Sequence, residues 1–166
     1  MVETVLAAIP EPSLNHKFKV VIVADGSAAA AGGGNTGAQI GCSKVDGLES
    51  NMEETQYREG DQPTTPGKYL TSVMYPDVTI EKGLTSQSNA LVSWHEAAIA
   101  ESEDSMRTVL IYVYGRGSTV VRVYKLAKAQ AKGLKLGTLD ANSPGVLIES
   151  LVLSHQGMTV SSNPSV

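Results

Sequence analysis

Runs of β-branched and aromatic residues dominate the chain. Phe18 to Ala24 (FKVVIVA) is one apolar run, and Arg107 to Tyr114 (RTVLIYVY) is the strongest β stretch of all. A Gly-Arg-Gly turn at 115–117 leads straight into Ser118 to Leu126 (STVVRVYKL). Two β runs joined by a short glycine-containing loop predict a hairpin. Val146 to His155 predicts a further strand, with Leu147, Leu151 and Leu153 on one face and Ile148 and Val152 on the other. Apolar residues on both faces predict a strand covered on both sides.

The period changes once. Asn89 to Ala100 (NALVSWHEAAIA) contains neither Gly nor Pro, and Leu91, Trp94 and Ala98 fall on one stripe with Val92 and Ile99 beside it. This predicts a helix capped by Ser86 or Ser88, with Glu96 and Glu101 toward its polar side. Trp94, the single tryptophan, sits on the apolar stripe and is expected in the core rather than at an interface. Gly26 to Gly37 (GSAAAAGGGNTG) reads as a small-residue flexible loop, Asp61 to Gly67 (DQPTTPG) as an exposed loop, and residues 158–166 as a Ser-rich tail. One helix among at least six strands predicts a mainly β domain spanning 1–166, a small barrel or sandwich with the helix packed on it.

Composition narrows the class. The 166 residues suffice for one domain with a real core, and 42% apolar with 18% charged residues is ordinary for a globular chain. Net charge is −4, and the thirteen basic residues are scattered, which speaks against a nucleic-acid-binding face. Cys42 is the only cysteine, so an internal disulfide and a multi-cysteine metal site are excluded. Met1 to Ile9 lacks the basic start and long apolar core of a secretory signal, and no stretch approaches the roughly 18 apolar residues of a membrane span. Synthesis in the cytoplasm without a signal peptide or membrane anchor is the expectation.

Candidate chemistry fails motif by motif. A P-loop needs four residues between its glycines and then Lys-Ser/Thr, whereas six separate Gly60 from Gly67 and Tyr69 follows Lys68. The glycines before Ile40 lead into β-like sequence instead of opening a helix, so no dinucleotide fingerprint forms. His95-Glu96 begins a zincin motif, but Ile99 occupies the place of the second histidine, and His16 and His155 lie far off. Cys42 has no base nearby in sequence to activate it. Glu53 and Glu54 are adjacent in β-like sequence, so they point to opposite faces and cannot converge on one substrate. No catalytic residue, metal site or cofactor is expected.

A set of segments in fixed order carries a stronger signal. They are Phe18-x-Val20-x-Ile22, Cys42 to Glu49 (CSKVDGLE), Glu54 with Tyr57-Arg58-Glu59-Gly60, Gly67-Lys68, Tyr75 to Ile80 (YPDVTI) and Lys82 to Thr85 (KGLT). Then come Trp94, Val123-Tyr124, Ala127, Lys132-Gly133, Leu139-Asp140-Ala141, Ile148 to Leu151 (IESL) and His155-Gln156-Gly157. In this order the chain resembles the tube proteins of contractile phage tails and related injection systems. Tyr124 and Lys128-Ala129 stand where that family often has Trp and Trp-Pro, and 26–37 looks inserted.

The resemblance implies a β-barrel-like sandwich that forms hexameric rings by sheet continuation. It further implies that the rings stack into a hollow tube inside a sheath, with baseplate and tail-terminator proteins at the ends. DNA or an effector would pass through the lumen without tight binding, and the tube would reside in a virion tail or a phage-like particle. It places ring and subunit contacts in a hairpin and loop over Leu48 to Thr65, at Glu54, Tyr57, Arg58 and Glu59, where Arg58 could pair bidentately with a carboxylate. It makes Glu96, Glu101 and Glu103 candidates for facing the sheath. Two alternatives stand beside this reading: an Hcp-like ring of a type VI secretion system, and a β-barrel that binds a small ligand.

Overall fold

The computed structural model describes residues 16–24, 37–57, 67–85, 89–102, 105–115, 119–140, 142 and 145–162. Among them are ten strands and one helix. In chain order these are β1 (Phe18–Ala24), β2 (Ala38–Ile40), β3 (Lys44–Asp46), β4 (Asn51–Tyr57), β5 (Gly67–Met74) and β6 (Val78–Gly83). Then follow α1 (Ala90–Ile99), β7 (Arg107–Tyr114), β8 (Val120–Leu136), β9 (Ile148–Ser154) and β10 (Gly157–Ser161). Every strand pairing is antiparallel.

Strand β8 belongs to two sheets. Its first part pairs with β7 on one edge and β10 on the other, whereas from Gln130 onward it pairs with β9. The first sheet therefore runs β2-β1-β7-β8-β10 and the second β8-β9-β6-β3. The strand bends where it changes sheets. Lys128 takes a left-handed φ of 49°, and the pairing with β7 skips a residue between the Val109–Leu126 and Arg107–Ala129 pairs. A bulge of this kind re-aims a strand while keeping its ladder on either side. The sheets do not close on each other, so the molecule is an open sandwich rather than a barrel.

The main core lies between the sheets. Val20, Ile22, Val109 and Ile111 from the first sheet meet Ile80, Leu151 and Leu153 from the second, with Leu91 and Trp94 of α1 in the same cluster. Trp94 is fully buried, as its stripe predicts; its Nε1–H donates to the Ser105 carbonyl at 2.8 Å and the Arg107 guanidinium lies 5.4 Å from the ring centroid. A smaller cluster of Val21, Val23, Leu110 and Val123 occupies the other face of the first sheet. The unbroken apolar run of β1 is thus explained: both of its faces are buried.

Several expectations differ from the structure. Strand β9 is covered on one side only, because Glu149, Leu151 and Leu153 are buried while Ile148 is exposed and Val152 half-buried. The helix shares the cluster between the sheets, and no other helix among the described residues is left to cover the outer face of β9. The chain also stays ordered past Met158, since Gly157–Ser161 forms β10 on β8. Helix α1 begins after Asn89, whose side chain makes no capping bond; Ser86 and Ser88 lie outside the described residues, as do 26–36 and 163–166.

Candidate assembly interface

Strands β4 and β5 form a separate two-stranded ribbon, paired with each other and with no other described strand. Every residue of both strands is exposed. Thr55 pairs with Tyr69 and Tyr57 with Gly67, which puts the two tyrosines on one face; Gln56 pairs with Lys68 and Glu54 with Leu70, which makes the other. Glu54 and Lys68 form an ion pair at 3.1 Å, but between exposed groups such a pair contributes under about 1 kcal/mol. Glu53 turns away from Glu54 and accepts a hydrogen bond from the Ser72 hydroxyl at 3.0 Å, so the two carboxylates diverge as adjacent strand residues should.

The ribbon has no core of its own. Leu70 is 65% and Tyr57 59% exposed, with Met52, Tyr69 and Met74 equally bare. An isolated two-stranded hairpin is marginal in water, and a contiguous exposed apolar surface marks a site of contact. What the resemblance implies stops short of this: β5, the second strand of the ribbon, runs from Gly67 to Met74, past the expected end at Thr65.

Its root is fixed. The ribbon leaves the second sheet between β3 and β6, at Gly47 and at Tyr75 to Asp77. Gly47 has a φ of +85°, and a Cβ there would run into the Asp77 carbonyl, so only glycine lets the chain pass. Asp77 also takes the Lys132 ammonium at 2.6 Å, and the Tyr75 ring lies 5.5 Å from that of the buried His155. His155 sits at the corner between β9 and β10, its Nδ1 3.2 Å from the Gly157 carbonyl.

The other predicted contact residues are split. Glu54 and Tyr57 lie on the ribbon, while Arg58 and Glu59 fall outside the described residues. Glu96 is exposed on α1, and Glu101 is exposed just past its end with a left-handed φ of 50°; Glu103 is outside the described residues. The structure brings Glu96 and Glu101 to one end of the helix and far along the chain from the ribbon.

Chemistry finds little footing. No group of three or more metal-ligating side chains occurs among the described residues. Cys42 is half-buried between β2 and β3, and burial pushes its thiol up to about 11 against a smaller opposite pull from Lys82. Such a thiol is protonated at neutral pH and is a poor nucleophile. No described helix is long and apolar enough to cross a membrane.

The family described as T4-like virus tail tube protein gp19 matches residues 14–159. The chain belongs to this tail-tube family. Its function is accordingly that of a tail-tube protein, a structural role. No curated protein matches the sequence. Among solved structures, a chain of the six-fold symmetrised baseplate of the anti-feeding prophage superposes with a TM-score of 0.77 at 22% identity, over 93% of this chain and 98% of that one. A chain of the sheath-tube complex of the PVC extracellular contractile injection system, in its extended state, gives 0.73 at 17%, over 92% and 93%. Hcp1 from E. coli is further away, at 0.51 and 11%, over 90% and 94%. At these identities the likeness establishes a shared fold, and the tail-tube chain lies nearer the injection-system chains than the Hcp protein.

Proposed function

We propose that this tail-tube protein forms homohexameric rings that stack into the inner tube of an extracellular contractile injection particle or a contractile phage tail. The observation that carries the assembly reading is the β4–β5 ribbon, which exposes apolar and aromatic side chains on both faces and is covered by nothing among the described residues. The edges of the sheets support ring closure: β2 and β10 end the first sheet and β3 the second, and an open edge is satisfied when a neighbour continues it. Tyr57 ends β4 and Glu54 lies on one face of the ribbon, where they would meet the next subunit together with Arg58 and Glu59, which follow Tyr57 in the sequence.

A sheath would surround the tube, and baseplate and terminator proteins would close its ends, by analogy with the assemblies in which similar chains occur. Glu96 on the exposed side of α1 and Glu101 just past its end offer the sheath an acidic surface, to which Glu103 of the following sequence would add. Cargo would traverse the lumen with little adhesion, since phosphate binding needs clustered Lys and Arg. The type VI reading keeps the fold but is disfavoured by the weaker superposition on Hcp1.

Electron microscopy of the purified protein and of particles from its source tests this. Six-fold rings or hollow tubes about which a second protein forms a sheath are expected. A dispersed monomer, with no tube in the particles either, would overturn the assignment of rings and stack.

A further inference from the structure

The turn after β3 carries a chemically labile bond. Among aspartyl bonds, Asp-Gly closes most readily into a succinimide, because glycine has no side chain to hinder its nitrogen from reaching the neighbouring carboxyl carbon. The sequence holds two such pairs, Asp25-Gly26 and Asp46-Gly47, and the second lies among the described residues. Gly47 cannot be exchanged there, since its φ is +85° and a Cβ would run into the Asp77 carbonyl. Asp46 ends β3, exposed to water, with its Oδ1 3.0 Å from the Gly47 nitrogen. The reacting groups are therefore neighbours in the folded chain.

Their surroundings oppose the reaction. Closure needs a protonated carboxyl for the Gly47 nitrogen to attack, and it needs the amide to give up its proton. The Lys44 ammonium donates to Asp46 Oδ2 at 3.0 Å, while Gly47 N–H donates to Oδ1. Both bonds favour the ionised carboxylate, and they hold Asp46 below the usual carboxylate range, Lys44 first and Gly47 second. Glu81, opposite Lys44 on β6, places a second carboxylate 3.9 Å from the same ammonium and helps to keep it there.

We propose that Asp46-Gly47 is a site of spontaneous isoaspartate formation and that Lys44 guards it. The Gly47 nitrogen bonds to Asp46 Cγ, the Cγ–OH bond breaks, and water leaves with the amide proton. A second water then adds to the main-chain carbonyl carbon of Asp46 and breaks its bond to the Gly47 nitrogen. That leaves glycine attached through the former side chain. Water is the sole co-reactant, and nothing is oxidised or reduced. The product carries one extra methylene in its main chain at the residue that pairs with Thr79, just where the chain leaves β3. The guard acts through charge, so arginine should replace Lys44 and salt should weaken it.

Peptide mapping of the full-length chain tests this, since chromatography with electron-transfer fragmentation separates aspartate from isoaspartate at position 46 and from any change at Asp25. Samples stand for several weeks at neutral pH, either folded or unfolded in guanidinium chloride. Folded wild type is expected to accumulate isoaspartate at 46 several-fold more slowly than the unfolded chain. Folded Lys44→Met should accumulate it about two- to fivefold faster than folded wild type, the scale set by an exposed ion pair. Lys44→Arg should stay near the wild-type rate, and added salt should speed the wild type but not Lys44→Met. Circular dichroism checks that the variants fold, as an exposed position leads one to expect. Asp46→Glu, whose ring would be one atom larger, should give no product at this site. Lys44→Met no faster than wild type, Lys44→Arg as fast as Lys44→Met, or a wild-type rate indifferent to salt would overturn the guard. An unfolded chain that keeps Asp46 intact would overturn the site itself.

Discussion

Lys82 and Glu149 face each other across β6 and β9, Nζ to Oε1 at 3.1 Å, with only 5% and 3% of their surfaces exposed. They continue the inward rows in which Val78 opposes Leu153 and Ile80 opposes Leu151, so an ion pair ends a line of core side chains. Removing two charges from water costs several kcal/mol per ion, which the pair recovers only while both partners are present.

Lys82→Met should therefore destabilise the fold by about 3–5 kcal/mol, because it leaves the Glu149 carboxylate buried without its ammonium. The double variant Lys82→Met with Glu149→Leu should recover much of that loss. Urea denaturation of both, followed by circular dichroism, checks the pair; a double variant as unstable as the single one would show that other contacts of Lys82 matter more.

Gly47→Ala should cost about 2 kcal/mol or more, since a left-handed backbone opposes a Cβ and the Asp77 carbonyl stands in its way. The strain falls at the ribbon's root. Assembly should suffer more than monomer stability, which comparison of thermal unfolding with tube yield would measure.

Alkaline pH should weaken the fold through Cys42. Its thiol ordinarily titrates near 9 and in the folded chain near 11, so between these values the unfolded state loses a proton that the folded state keeps. The stability contribution is whole below about pH 9 and declines as pH rises toward 11. The difference in urea midpoint between wild type and Cys42→Ala should narrow or reverse across that window, and a constant difference would contradict it.

Trp94→Phe should destabilise by about 1–3 kcal/mol, because the Ser105 carbonyl loses its donor in a buried setting and the smaller ring leaves space. Arg107 keeps an aromatic face beneath it, so Trp94→Leu should cost more. Denaturation monitored by far-ultraviolet circular dichroism separates the two.

Where apolar pattern and burial coincide, the sequence was legible. The paired runs of β7 and β8, the stripe carrying Trp94 and the continuous apolar β1 each owe their structure to a buried face, and each was readable. The ribbon's second strand was not. Gly67 to Met74 alternates no polar and apolar face, because every residue of the strand is exposed and no buried face among the described residues imposes an alternation. The extension of β8 to Leu136 was hidden by Lys128, Lys132 and Lys135, which read as surface although the backbone between them stays paired. The Lys82–Glu149 pair escaped for a related reason, since two charges on an inward row break the very alternation that marks such a row. For the candidate assembly surface, Glu54 and Tyr57, singled out by resemblance, fall on the β4–β5 ribbon, whose full exposure no local pattern announces.

The passage of β8 through both sheets has a mechanical consequence. In a two-layer protein whose layers touch only through side chains, shear is resisted by packing, which yields by slipping. Here one covalent backbone enters both layers, turning at Lys128, so the layers cannot creep past each other without stretching a peptide chain that is hydrogen-bonded on either side of the turn. A subunit tied in this way resists shear between its two layers as a stiff solid and not as two plates.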